Sequence, residues 1–384
     1  MKKIIRITTV PLALRSLLRS QMNYMQKNGL EVLMISADGP ELEDVIKNEH
    51  CRHIVVAMTR KITPWQDLKS LVQLIKIIRK EKPAIVHTHT PKAGLLGMLA
   101  AWICSTQVRI HTVAGLPLMV EKGLKLKLLK FIEKLTYAAA TNVWPNGDSM
   151  KKFIIEHKFC SPAKLTIIGK GSSNGVDTGR FNKDTLDPAT LAVIKQKIDH
   201  HTGMMYLLFT GRLVADKGIV ELITVFEAIQ KNNASLRLIL TGDFERSLDP
   251  LPIHIENAIG SNPAIIHVAW TEYVEYYMAL ADFFVFPTYR EGFPNVLLQA
   301  SVMKLPILCS SIPGNVDIVI HGKTGLLFKD QDTESLKEQL TRAIAHPGEM
   351  KAMAEEQYHF VYNNFPREIF WKTMLQEYTA LLYQ

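Results

Sequence analysis

At 384 residues the chain is long for one compact domain and comfortable for two, and 47% hydrophobic with 21% charged residues describes a globular protein with real cores. Its four cysteines (Cys51, Cys104, Cys160, Cys309) lie far apart, with no C-x-x-C pair, which excludes a disulfide scaffold and reads as buried thiols in a reducing compartment. The net charge of +8 is uneven: residues 1–180 hold 28 Lys/Arg against 13 Asp/Glu, and the remainder 17 against 24. The first part therefore suits an anionic surface or ligand.

From the amino end, Met1-Lys2-Lys3 has the charge of a secretion signal, but Arg6, Arg15 and Arg19 interrupt the apolar run. The longest apolar stretch, Leu95 to Cys104, is about half of what a bilayer needs. A cytoplasmic or peripheral protein is expected. Strands are predicted at Ile4–Val10, Glu31–Ala37, His53–Met58, Ala84–Thr90, Val108–Val113, Asn142–Pro145 and Lys164–Ile168, with helices between them such as Asp67–Lys80, Gly94–Cys104 and Leu124–Ala139. Several strands are nearly continuous in apolar residues, as in a parallel sheet covered on both faces. Gly179 to Gly203 reads as a connection. The alternation then restarts with strands at Met205–Thr210, Leu236–Thr241, Ile265–Ala269, Phe283–Pro287 and Pro306–Cys309, and is mostly helical from Asp332 onward. The fold class is α/β with two doubly wound units, and function is to be sought beyond the carboxyl ends of strands.

Two constellations occupy such positions. Gly211-Arg212-Leu213-Val214-Ala215-Asp216-Lys217-Gly218 directly follows a predicted strand. Two cations five residues apart on a strand-to-helix loop can converge on one multiply charged anion, Arg212 as a fork and Lys217 as a movable charge. A surface pair near a helix start is the plainer alternative. Tyr289-Arg290-Glu291-Gly292-Phe293-Pro294-Asn295-Val296-Leu297-Leu298-Gln299 follows Phe283–Pro287. There Pro294 suits a helix start, backbone amides of Gly292, Phe293 and Asn295 face an anion, and Glu291 accepts from sugar hydroxyls. Asn295 and Gln299 share a helix face. A capped helix with a glutamate near its start is the alternative.

Together these motifs resemble the C-terminal domain of retaining glycosyltransferase family 4, of GT-B fold and bacterial surface-polysaccharide type, which shows G-R-x(4)-K-G and later E-G-F-x(5)-E. Thr241-Gly242-Asp243, Pro313-Gly314-Asn315-Val316-Asp317 and Gly322-Lys323-Thr324-Gly325-Leu326-Leu327 match flanking features, the last as a closing turn. The resemblance implies two Rossmann-like doubly wound parallel-sheet domains facing across a cleft. The boundaries are an acceptor-side domain at 1–178, a linker at 179–203, a nucleotide-sugar donor domain at 204–365, and a terminal helix at 366–384 packing back on the first domain. It further implies that Gly211, Arg212 and Lys217 hold the donor diphosphate and that Glu291 contacts the transferred sugar. Gly292, Phe293, Pro294 and Asn295 would border the donor and Trp270 the base. Gln299 stands where relatives hold the ribose with glutamate, and an amide does so without charge assistance.

In the first half, His87-Thr88-His89-Thr90 ends one predicted strand and His111 lies in the next. Alternation sends His87 and His89 to one face. Relatives carry a cleft histidine where this chain has Ala114, which leaves His111 and His89 as candidates for a catalytic role. Relatives also have paired glycines after the first strand, where this chain has Val10-Pro11-Leu12-Ala13-Leu14. Lys122, Lys125, Lys127, Lys130 and Lys134 ride on a helix with Leu124, Leu128, Phe131 and Leu135 expected beneath them, a candidate contact for anionic lipid or a solvated face.

The activity implied is metal- and cofactor-independent transfer, with retention, of a sugar from a nucleoside-diphosphate sugar, UDP by family tendency. The acceptor implied is an undecaprenyl-diphosphate-linked saccharide in capsule, O-antigen (lipopolysaccharide) or exopolysaccharide assembly. The protein would sit peripherally on the inner face of the cytoplasmic membrane. A sugar-nucleotide epimerase or hydrolase of the same fold, or a non-enzymatic anionic lipid-binding protein, remain alternatives. Gly169-Lys170-Gly171-Ser172-Ser173-Asn174-Gly175 lacks dinucleotide spacing, and Asp332 in Asp330-Gln331-Asp332 suits a helix cap better than a metal ligand. No motif for nucleic acid is present.

Overall fold

The structure, a computed structural model, describes residues 2–119, 121–246 and 249–383; Met1, Val120, Ser247, Leu248 and Gln384 lie outside the described residues. Contacts divide the chain into two compact units, Met1–Gly175 with Arg367–Gln384, and Val176–Pro366.

The first unit is built on β1 (Lys2–Ile7), β2 (Leu30–Ser36), β3 (Arg52–Val55), β4 (Ile85–Thr88), β5 (Val108–Val113) and β6 (Asn142–Pro145). They form a parallel sheet in the order β3-β2-β1-β4-β5-β6. Successive residues of β1 feed two cores, because side chains alternate across a strand. Ile5 and Ile7 pack with Leu74, Ile78, Ala93 and Tyr137 from the helices Pro64–Glu81, Pro91–Ile103 and Gly123–Ala139. Ile4 packs with Leu14, Met22, Trp371 and Tyr378 from Pro11–Leu17, Gln21–Lys27 and the terminal helix Arg367–Leu382.

The second unit repeats the plan with β7 (Met205–Thr210), β8 (Leu236–Thr241), β9 (Ile265–Val268), β10 (Phe283–Phe286), β11 (Ile307–Ser310) and β12 (Leu326–Phe328). Their order is β12-β11-β10-β7-β8-β9, again parallel. Counted within each unit, both sheets have the Rossmann order, which reverses between the first and fourth strands. The reversals fall at β1/β4 and β7/β10.

Three expectations are corrected. Lys164–Ile168 is not a strand; it contributes a single bridge from Leu165 to Val143. A short turn at Pro162–Lys164 precedes it, and the Lys164 ammonium donates to the carbonyls of Tyr137 (3.0 Å) and Ala140 (2.7 Å), capping the helix Gly123–Ala139 rather than extending a sheet. The closing turn instead contains β12, paired with β11. The segment 179–203 is not an independent linker, since Phe181, Ile194 and Ile198 are buried in the second core.

The terminal helix is fastened to the first unit through a fully buried arginine on β1. Arg6 donates from Nε to His89 Nε2 (2.9 Å), from one terminal nitrogen to the Tyr378 hydroxyl (2.9 Å), and from the other to Gln21 Oε1. All three acceptors are neutral, and burial lowers the affinity of the guanidinium for its proton. Trp371 Nε1 donates to Asn174 Oδ1 (2.6 Å), which also accepts from Gln21 Nε2 (3.0 Å). Tyr378→Phe leaves a buried donor of Arg6 unpaired and is expected to lower stability by about 1–3 kcal/mol in urea unfolding. An unchanged midpoint would mean that Arg6 is satisfied without Tyr378.

Candidate functional site

At the β7/β10 reversal, two loops meet. The loop after β7 is glycine-punctuated for a steric reason. Gly218 has φ +69°, and a Cβ there would stand 2.1 Å from the Pro287 carbonyl oxygen at the end of β10. The lysine–glycine pair of the motif thus lets Lys217 sit against the neighbouring strand end. Its ammonium pairs with Glu291 and lies 3.4 Å from Thr288 Oγ1, which is itself 3.3 Å from Glu291 Oε1. Both charged side chains are more than four-fifths buried, at 15% and 19% exposure.

Next to them Arg290 reaches Asp216 at 2.6 Å, and the Tyr289 amide donates to the Asp216 carbonyl at 2.9 Å. Arg212 does not join this cluster: its guanidinium pairs with Glu245, in the loop after β8. The two motif cations therefore hold separate carboxylates rather than converging on one point. Gly211 closes β7, its amide donating to the Thr241 carbonyl at 2.9 Å.

Gly292, Phe293 and Pro294 are buried and lead into the helix Asn295–Val302. Pro294 precedes the first helical turn rather than lying in it. Gln299 is half-buried one turn beyond Asn295. Trp270, beyond β9, is exposed, and its amide donates to Asp243 Oδ1 at 3.0 Å. Asp332 caps the helix Thr333–Ala345, accepting from the Ser335 amide at 3.0 Å.

The first unit separates the histidines. Thr88 is registered with His111, and His87 with Ile110. His111 therefore lies on the face opposite His87 and His89, and the three do not form one cluster. His111 is wedged between Thr88 Oγ1 (2.8 Å from Nδ1) and Gly94, where a Cβ would come within 2.4 Å of its Cε1. Burial lowers its pKa to about 4. His89 lies at the β1/β4 reversal, its amide donating to the Ile7 carbonyl at 3.1 Å. Burial foremost, and the Arg6 charge next, hold its pKa well below the usual value. Because Arg6 donates to Nε2, the His89 proton sits on Nδ1, which is buried without a partner. His87 is closed off by Tyr378 and by Thr112 Oγ1 at 2.7 Å.

The helix Gly123–Ala139 departs from expectation in its facing. Leu126 and Leu129 pack on the core, while Leu124 and Phe131 are 83% and 64% exposed among the lysines. Sequence reasoning missed Glu245 and the Asp216–Arg290 pair; the acidic–basic order reversed between the two motifs was a signal for the pair.

Two family models match: "Glycosyl transferase 4-like" over residues 12–146 and "Glycosyl transferases group 1" over residues 192–360. The capsular polysaccharide biosynthesis glycosyltransferase CapM of Staphylococcus aureus is 32% identical over 99% of this chain and 98% of its own. An Escherichia coli UDP-Gal:α-D-GlcNAc-diphosphoundecaprenol α-1,3-galactosyltransferase is 26% identical, covering 84% of this chain and 82% of its own. Among solved structures, Anabaena HepE in complex with UDP and glucose superposes with a TM-score of 0.82 at 14% identity, over 99% of this chain and 100% of that one. A glycosyltransferase from Rickettsia africae gives 0.78 at 19%, over 99% and 98%.

The buried histidines carry a pH consequence. An unfolded imidazole titrates near 6.5 while burial lowers His111 to about 4, so between these values the unfolded chain binds a proton that the folded one refuses. Stability falls as pH falls through that window. His111→Gln is expected to lose about 2 kcal/mol less than the unsubstituted protein between pH 7 and 4.5, by urea titration at each pH. Parallel losses would mean that His111 is protonated in the folded state.

Proposed function

Because the chain belongs to the group 1, family 4-like glycosyltransferases, we propose that it moves a sugar from a nucleoside-diphosphate sugar, UDP foremost, to a lipid-diphosphate-linked saccharide in bacterial surface-polysaccharide assembly. That it is a glycosyltransferase of GT-B fold follows from its family and from its two six-stranded parallel sheets. The observation that carries the donor reading is the largely buried Lys217–Glu291 pair at the strand-order reversal of the second sheet, where open α/β sheets bind ligands. The acceptor reading draws on the relatives that build capsule or act on diphosphoundecaprenol-linked sugars.

In this reading Lys217 exchanges Glu291 for the donor diphosphate, and Arg212 turns from Glu245 to the same group. Glu291, released, accepts from hydroxyls of the transferred sugar. The acceptor oxygen bonds to the anomeric carbon on the face from which the diphosphate departs. The bond from that carbon to the phosphate oxygen breaks, its electron pair leaves with the diphosphate, and a diphosphate oxygen takes the acceptor proton. Configuration is retained. Arg212 and Lys217 stabilise the charge that grows on the leaving group, a role worth roughly a hundredfold or more in rate per donor in other enzymes.

Arg212→Ala and Lys217→Ala are each expected to lower transfer about a hundredfold or more with an unchanged melting temperature. The assay is release of nucleotide from UDP-, GDP-, ADP- and TDP-sugars, with EDTA and a crude lipid-linked acceptor extract. Near-normal rates in both variants would sink the site assignment. Release that needs no acceptor would move the reading to an epimerase or hydrolase.

A membrane contact belongs to the same reading. The helices Pro64–Glu81 and Gly123–Ala139 each begin at the carboxyl end of the first sheet, since each joins two parallel strands. There they expose Trp65 (82%) and Leu124, beside Arg60, Lys61, Lys122 and Lys125. Apolar side chains amid lysines suit the headgroup region of an anionic bilayer. Flotation with phosphatidylglycerol vesicles is expected to retain the protein, with Leu124→Ser/Phe131→Ser weakening binding about tenfold or more. Equal binding to phosphatidylcholine, or none to either, would remove the membrane from the proposal.

A further inference from the structure

The two loops at the β7/β10 reversal are tied by ion pairs between consecutive residues. Asp216 and Lys217 are neighbours on one loop, Arg290 and Glu291 on the other. Arg290 bonds Asp216 at 2.6 Å, and Lys217 bonds Glu291, so each loop supplies one charge of each sign to the other. Asp216 is further held by its backbone: its carbonyl accepts from Tyr289 (2.9 Å), and its amide donates to Asp249 Oδ2 (2.7 Å).

These four charges cancel, so an entering diphosphate meets a neutral cluster until one pair opens. The pair that must open, on the donor reading, is Lys217–Glu291, because both of its members then change partners. As it opens, the loops stay joined by the Tyr289 amide on the Asp216 carbonyl and by the Asp216–Arg290 ion pair. The ion pair is the side-chain tie, and its chemistry suits holding a distance more than maximising stability. The contact is single-pronged: Asp216 Oδ1 and Arg290 Nε are both buried without a partner. A forked contact would satisfy both atoms. Native structures tolerate such orphaned polar atoms where geometry serves function.

We propose that Asp216 and Arg290 are positioning residues, whose ion pair keeps Lys217 and Glu291 in register while the Lys217–Glu291 pair opens around the donor. This rests on the donor reading above, and the test separates the two. Asp216→Asn, Arg290→Gln and the double variant are compared with Lys217→Ala for donor kcat and KM and for melting temperature. Each single variant is expected to lower kcat/KM about tenfold, and the double variant no further, because the two side chains act as one unit. A merely stabilising pair would shift the melting temperature and leave the kinetic constants of the folded enzyme unmoved. Single variants with normal kcat/KM, or losses that multiply in the double variant, overturn the proposal while the loss in Lys217→Ala keeps the donor reading intact. Normal activity in Lys217→Ala overturns the donor reading, and this proposal with it. Should a neutral variant fail to fold, Arg290→Lys takes its place. It keeps the charge on a side chain of different reach, which alters the distance the tie holds, and is expected to lose about threefold in kcat/KM; no loss overturns the tie.

Discussion

The strand-order reversal is the constraint on which the rest depends. Right-handed crossovers between parallel strands allow a sheet to grow outward from its first strand in one direction and then, from its fourth, in the other. The helices that follow the first and fourth strands then lie on opposite faces, and the loops at the reversal have no helix between them. In the second unit this brings Lys217 to Glu291 across 74 residues of sequence. In the first it brings Thr9 to Thr90, whose hydroxyls lie 2.7 Å apart, and sets His89 beside Ile7. The two crevices are topologically equivalent and chemically different: one is lined by four charges, the other by hydroxyls and a neutral imidazole.

Burial decides how those groups behave. The four charged groups at β7/β10 each lie at bonding distance from an opposite partner. His87 and His89 of the first sheet are buried with the Arg6 guanidinium nearby, and burial foremost keeps them neutral. The basic excess of the first half is therefore not gathered at a site in the core. It lies on surface helices, where Lys125, Lys127 and Lys134 are solvated.

Arg6 has a different part. A charge buried without a carboxylate costs stability unless its hydrogen bonds are met. Here they are met by elements distant in sequence: Gln21, His89 and Tyr378. That requirement makes the terminal helix an integral part of the first unit, since withdrawing it would leave the guanidinium short of an acceptor.

The sequence by itself determined what depends on near neighbours. Apolar runs such as Ile4, Ile5 and Ile7 identify strands covered on both faces, and Gly211 to Gly218 is read within one loop. Glu291 and Lys217 were legible as candidates because a strand-to-helix loop is where chemistry sits in such folds. What depends on register or long-range pairing was not legible. A one-residue offset between β4 and β5 places His111 opposite His89, and nothing local states that offset. Leu165 reads as a strand residue but bridges once, because Lys164 is engaged in capping a helix. The three residues of β12 are too few to stand out beside glycines until β11 supplies their partner. Tertiary structure alone decided that Arg212 would hold Glu245 while Lys217 holds Glu291, since electrostatic partners are chosen by distance in space and not along the chain.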